Sequence, residues 1–167
     1  MVVTVRKQKS SDKILKELGT LARIIEGLRS EGKVVVLANG CFDLLHVGHV
    51  RALEDARSRG DYLVVALNSD KSTEKLKGKG QPIIPLEERM EVVAALQFVD
   101  YVTCFDDERV DALLRKLKPT MMAKGQDYTE KTVPERETAK EIGTRIVIVG
   151  DKKNHATSKI LARIRKK

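Results

Sequence analysis

"KVVVLANGCFDLLHVGHVRALEDARSRGDYLVVALNSD", residues 33–70, carries two rhythms joined by a glycine-containing turn. Residues 33–38 are a short β-branched apolar run, residues 47–60 follow a helical pattern closed by Gly60, and residues 62–67 are a second apolar run. Strands buried on both faces are continuously apolar, and a helix between two such strands predicts a parallel crossover.

The alternation continues to the end of the chain. Strands are expected over 101–105, 120–124 and 145–150, and helices over 85–99, 109–118, 134–143 and 157–167, with Pro85 near the first turn of its helix. Five strand-like runs alternating with five helices predict an α/β fold, a Rossmann-like doubly wound five-stranded parallel sheet with helices on both faces. Ahead of it, Ile14, Leu15, Leu18, Leu21, Ala22, Ile25 and Leu28 recur at helical spacing, which predicts an N-terminal amphipathic helix over 12–30. Ser11 is its expected N-cap and Gly32 its stop. Residues 1–32 thus read as a helical extension packed on an α/β domain of residues 33–167.

The 167 residues are 41% hydrophobic and 34% charged, which suits a soluble domain with a substantial core. No stretch approaches the ~20 apolar residues that span a bilayer. The opening MVVTVRKQKSSDK has no h-region for a signal peptide. Cys41 and Cys104 have no metal-binding spacing and read as free, buried thiols, so a cytoplasmic setting without a membrane partner is expected. The net charge of +8 is concentrated around Lys71, Lys75, Lys77 and Lys79 and in the C-terminal stretch from Lys152, which favours anionic partners. Nucleic acid is one such class. Three Tyr, three Phe and no Trp give little to stack single-stranded bases on. Phosphorylated small molecules are the other.

In doubly wound sheets ligands bind beyond the carboxyl ends of the strands. The chemically distinctive segments 39–49, 68–81, 124–129 and 150–158 all fall on such ends. His46 and His49, two of three histidines, stand one turn apart at a helix start. That spacing suits a metal pair, and equally a pair of donors to a phosphate held at the helix N-terminus. The glycines favour the phosphate: Gly40 permits a tight exit from the strand, and Gly48 lets an anion approach the backbone. Neither GxGxxG after the first strand nor GxxxxGK[ST] occurs, so dinucleotide and P-loop readings lose weight.

"HVGH" at 46–49 resembles the HxGH signature of the nucleotidyltransferase superfamily, and "NGCFDLLHVGHVRALEDARSRGDYLVVALNSD" resembles its cytidylyltransferase-like branch. Together with "LKGKGQPI" (76–83), "KGQDY" (124–128) and "TSKI" (157–160), it is similar to the D-glycero-β-D-manno-heptose 1-phosphate adenylyltransferases, in their stand-alone form. The resemblance runs from about residue 33 to the end. It implies transfer of AMP from ATP, carried with Mg²⁺, to a sugar 1-phosphate, with release of pyrophosphate and no covalent enzyme intermediate. Nucleic acid is then not a partner, and a homodimer is compatible. Two other readings stay open: a cytidylyltransferase acting on glycerol 3-phosphate or another alcohol phosphate, and a basic nucleic-acid-binding module.

Residue roles follow in part from the resemblance. His46 and His49 are the expected donors to the reacting and leaving phosphates. Asn39, Gly40, Cys41 and Phe42 would line the nucleotide pocket; Phe42 reads equally well as core. Asp43 either caps the following turn or makes a polar contact to the acceptor. Lys75 and Lys77, in an expected basic loop with Gly78 and Gly80, would close over phosphates, or be an ordinary solvated loop. Arg89 matches a family arginine near the nucleotide, where periodicity alone gives a surface charge. Lys124, at the end of a buried strand, needs a partner: a phosphate, or Asp127. Gly125 and Asp127 would serve the nucleotide, Asp127 through the ribose hydroxyls. Thr157 and Ser158 match a segment that holds phosphates at a helix start, Thr157 also being a plain N-cap. Ala156 replaces a hydroxyl common in the family, and His155 has no assigned role.

Overall fold

The computed structural model describes residues 9–151 together with 161, 162 and 164. Five strands form one parallel sheet: β1 (Val35–Gly40), β2 (Tyr62–Asn68), β3 (Tyr101–Phe105), β4 (Met121–Gly125) and β5 (Arg145–Val149). Their order is β3-β2-β1-β4-β5, the doubly wound arrangement, whose direction of winding reverses between β1 and β4. Val36–Ala38 pair in register with Leu63–Val65 on one side and with Met121–Ala123 on the other.

Side chains of successive β1 residues enter two separate cores. Val36 and Ala38 join Leu53 and Ala56 of α2 (Val47–Ser58) and Met90, Val93 and Ala94 of α4 (Leu86–Ala94). Val35 and Leu37 join Leu21 and Ile25 of α1 (Leu18–Ser30) and Leu113, Leu114 and Leu117 of α5 (Asp111–Leu117). Burial on both faces is why these strands are continuously apolar. α6 (Arg136–Glu141) precedes β5. Among the described residues no helix is long and apolar enough to cross a membrane.

Two expectations are corrected. The N-terminal helix begins at Leu18, not residue 12, because the Glu17 carboxylate, not Ser11, caps it, accepting from the Gly19 and Thr20 amides at 2.8 and 2.5 Å. Ser10–Lys13 is a 3-10 turn, and Ile14 runs extended, bridging Val102 in parallel on edge strand β3. The segment thereby covers a sheet edge instead of lengthening a helix. The stop at Gly32, with φ of 77°, is as expected.

The second correction concerns the basic segment. Lys75 and Lys77, expected in a loop with Gly78 and Gly80, instead lie in the last turn of a helix, α3 (Asp70–Lys77). Ser69 caps it, accepting from the Ser72 amide at 3.2 Å, and Gly78 ends it with a φ of 99°. Asp70 in its first turn and Lys75 and Lys77 in its last complement the helix dipole. The expected helix over 157–167 falls largely outside the described residues.

Candidate active site

The turn from β1 into α2 holds the unusual backbone. Phe42 and Leu44 adopt left-handed φ values of 49° and 48°, whereas Gly40 does not. Such a conformation costs a non-glycine residue ~1–2 kcal/mol, and burial of Phe42 in the α2–α4 core offsets it. The tight geometry expected at Gly40 thus lies two residues later. Gly40 serves instead by lacking a Cβ, which would stand 3.2 Å from the Phe42 ring. Phe42 is a core residue, and its ring also meets the His49 ring at a centroid distance of 5.4 Å.

His46 is the N-cap of α2, and its Nδ1 accepts from the Gly48 amide at 3.1 Å. His49 Nδ1 in turn accepts from the His46 amide at 3.3 Å. The two rings stack at 3.9 Å with 24° between their planes. With Nδ1 of each ring acting as an acceptor, the neutral imidazole carries its proton on Nε2. The helix start therefore orients two Nε2–H donors beside the positive end of its own dipole. The Gly48 amide is engaged by His46.

On the other side of the switch point, Lys124 ends β4. Its Nζ donates to Asn39 Oδ1 at 3.1 Å, so one hydrogen bond joins the ends of β1 and β4. Nζ also stands 3.1 Å from both carboxylate oxygens of Glu135, forming a hydrogen bond with Oε1 only. Glu135 is 4% exposed, and its Oε2 has no hydrogen-bond partner among the described residues. The Tyr128 ring lies 5.6 Å from Nζ. Burial pushes the Lys124 ammonium below the ordinary lysine range, while the nearby Glu135 and, more weakly, Asp111 oppose that displacement. Of the two partners expected for Lys124, a phosphate or Asp127, the second is corrected: the carboxylate beside it is that of Glu135, which sequence spacing did not single out.

A second layer fixes this edge from behind. Arg89 is 1% exposed, and its guanidinium donates to the carbonyls of Ile84 (2.9 Å), Cys41 (2.5 Å) and Asn68 (3.0 Å) and to Asp70 Oδ1 (2.6 Å). It is neither a surface charge nor a side chain open to a ligand; it ties the ends of β1 and β2 to α3 and α4. Asp43, 5% exposed, accepts from the Ile83 and Ile84 amides at 2.7 and 3.0 Å. Its carboxylate holds the segment before α4 rather than capping the turn that follows it. Asn68, also missed in the sequence, donates to Ser72 Oγ at 2.9 Å and receives the weak Cys41 thiol contact at 3.9 Å.

The remaining expected site residues are more dispersed. Lys75 pairs with Glu108 at 3.6 Å on the exposed side of α3, and Lys77 is exposed one turn end away. Gly125, the last residue of β4, and Asp127, just beyond the strand, are both exposed. Cys41 and Cys104 are free thiols as expected, but half-buried rather than buried. His155, Ala156, Thr157 and Ser158 lie outside the described residues. Among the described residues, no three His, Cys, Asp or Glu side chains are grouped to hold a metal ion.

A family model described as cytidylyltransferase-like matches residues 37–165, from the middle of β1 through the whole switch-point edge. The chain belongs to the cytidylyltransferase-like family. A bifunctional protein HldE from Geobacter sulfurreducens is 45% identical over 155 residues, 93% of this chain and 32% of that protein. The HldE of Desulfatibacillum aliphaticivorans is 42% identical over 151 residues, 90% of this chain and 31% of that protein. The chain thus spans about a third of the length of the curated relatives it matches. The crystal structure of a lipopolysaccharide core biosynthesis protein from Thermoplasma volcanium superposes with a TM-score of 0.62 and 28% identity, covering 72% of this chain and 99% of that one. A pantoate-beta-alanine ligase from Francisella tularensis, solved with an ATP analogue and beta-alanine, shares the fold at a TM-score of 0.58 and 15% identity, over 91% of this chain and 76% of that one. In this cytidylyltransferase-like chain the HxGH histidines and Lys124 stand on opposite sides of the β1–β4 switch point.

Proposed function

We propose that this chain is an adenylyltransferase that moves AMP from ATP to D-glycero-β-D-manno-heptose 1-phosphate, giving ADP-heptose and pyrophosphate. The observation that carries the reading is the histidine pair: each Nδ1 is held by a backbone amide, and each Nε2–H is presented at the start of α2. Membership of the family supports nucleotidyl transfer, and the HldE relatives support the sugar phosphate as acceptor.

The acceptor phosphate is already ionised at neutral pH, so an oxygen of it attacks the α-phosphorus directly. The bond from that phosphorus to the bridging oxygen breaks, and pyrophosphate leaves. The transition state is crowded and negative, and what accelerates it is positioning and charge stabilisation. His46 and His49 donate from Nε2 to the reacting and leaving phosphates, and Lys124 supplies positive charge across the cleft. Lys75, Lys77, Thr157 and Ser158 are assigned to the remaining phosphate oxygens and Asp127 to the ribose. Asn39 orients Lys124, while Arg89 and Asp43 hold the edge behind the pocket.

Mg²⁺ would be carried on the triphosphate, where it would neutralise phosphate charge. Asp43, Asp70 and Glu135 each have oxygens engaged by protein partners, a donor set that fits a cation carried by phosphate and water rather than caged by side chains. Free thiols at Cys41 and Cys104 agree with a reducing cytoplasm.

The test is pyrophosphate release measured with ATP, CTP, GTP and UTP against heptose 1-phosphate, other sugar 1-phosphates and glycerol 3-phosphate. Turnover is expected with ATP and the heptose. Exclusive use of CTP with an alcohol phosphate would overturn the acceptor and base assignments. Salt-sensitive binding to DNA or RNA unaffected by His46→Ala, without turnover, would overturn the enzyme reading altogether.

A further inference from the structure

One buried carboxylate stands beside the Lys124 ammonium. Glu135 contributes no group to the reacting phosphates, yet it lies almost wholly inside the protein with one carboxylate oxygen lacking a hydrogen bond. A buried carboxylate is costly unless it is compensated, and its compensation here is the Lys124 ammonium.

We propose that Glu135 is a positioning residue for nucleotidyl transfer: with Asn39, it holds the Lys124 ammonium at the β1–β4 switch point and keeps it charged for the phosphates. The inference rests on the transferase reading. An ammonium has three N–H bonds. One points to Asn39 Oδ1 and one to Glu135 Oε1, each at 3.1 Å, so the third is directed by the other two. The charges around Nζ are Glu135 ahead of α6, Asp111 at the start of α5 and Arg109 just before α5, with the Tyr128 ring on the loop after β4. Glu135 is the closest of the acidic groups and the largest influence opposing the effect of burial. Without its charge, the ammonium would lose its proton at lower pH.

Two variants test this. Glu135→Gln keeps the shape and removes the charge; Glu135→Asp keeps the charge and shortens the reach. Circular dichroism and thermal melts establish that each is folded. The Lys124 Cε resonance is titrated by NMR in wild type, Glu135→Gln and Glu135→Asp, with Lys124→Arg assigning the peak by its loss. Pyrophosphate release is followed across the same pH range.

In Glu135→Gln the Lys124 titration is expected to move to lower pH, and the alkaline limb of kcat should move with it, leaving turnover about tenfold or more below wild type above that limb. Activity should recover as pH is lowered, and Glu135→Asp should restore most of both titration and rate. A folded Glu135→Gln protein whose Lys124 titrates as in wild type, or whose turnover falls equally at every pH, overturns the proposal. If wild type itself turns over no phosphorylated sugar, the transferase reading fails. The NMR titration then decides the proposal's electrostatic claim, an unmoved Lys124 overturning it.

Discussion

His46 does two jobs that ordinary alanine scanning would confound. It caps α2 through Nδ1 and is assigned a phosphate through Nε2. Asparagine is among the strongest N-caps, so His46→Asn should keep the melting temperature near wild type. Turnover should nevertheless fall by about two orders of magnitude, the scale of losing one transition-state donor. His49→Ala should lose a similar factor. Stopped assays of pyrophosphate release beside thermal melts check both, and near-normal rates in both variants would remove the histidines from the mechanism. Arg89 is the residue whose meaning changed most between sequence and structure. In the helical pattern of 85–99 it reads as a polar position, whereas folded it donates four hydrogen bonds inside the protein. Arg89→Met leaves three carbonyls without their donor and should cost ~3 kcal/mol or more, read as a shift in the urea midpoint.

Among the elements, α5 and α6 are linked by polar side-chain contacts. Asp111 accepts from the Thr138 hydroxyl at 2.5 Å and pairs with Arg109 at 2.8 Å, while Arg115 pairs with Glu141 at 2.9 Å. Burial acts to raise the Asp111 carboxyl, but the Thr138 and Arg109 hydrogen bonds outweigh it and hold the group below the ordinary aspartate range. A depressed folded value means stability present above the unfolded aspartate value of ~3.9 and lost as pH falls through the folded one. Hydrogen exchange of α5 and α6 amides, relative to the intrinsic rate, should therefore accelerate as pH falls below about 4 more than that of β1 and β2. Asp111→Asn should flatten that local dependence. An equal acceleration across the sheet would count against an acid-sensitive contact between these two helices. At the same scale, α3 is a helix whose sequence has the look of a loop. Its capping signal, Ser69 with Asp70 ahead and Gly78 behind, is present in the sequence, but four lysines and nearby glycines look like a loop when apolar periodicity is the guide.

Across the whole molecule, the order β3-β2-β1-β4-β5 brings the end of β1 beside the end of β4, eighty-five residues apart in sequence between Asn39 and Lys124. The N-terminal helix belongs to the same construction, since Leu21 and Ile25 of α1 are completely buried against the sheet with α5. Leu21→Ala should cost ~2–5 kcal/mol, and a chain starting at residue 33 should lose its cooperative unfolding transition. Retention of a sharp melt by that shortened chain would show that residues 1–32 are an appendage to an independent domain.

The strands, the winding of the sheet, the stop at Gly32 and the placing of His46 and His49 at a helix start were all legible in the sequence. Each depends on local spacing: runs of apolar residues, a change of period, a cap, a glycine. The partners of Lys124, Arg89 and Asp43 were not legible, because each hydrogen-bonds to residues brought near only when separate strands and helices pack. Glu135 in particular is one glutamate in a polar stretch until β4 and α6 bury it beside an ammonium. Local periodicity decided which elements form and which segments stand at the carboxyl edge of the sheet. Tertiary packing alone decided which charges are removed from water, and a charge removed from water must find its counter-charge within a few ångströms.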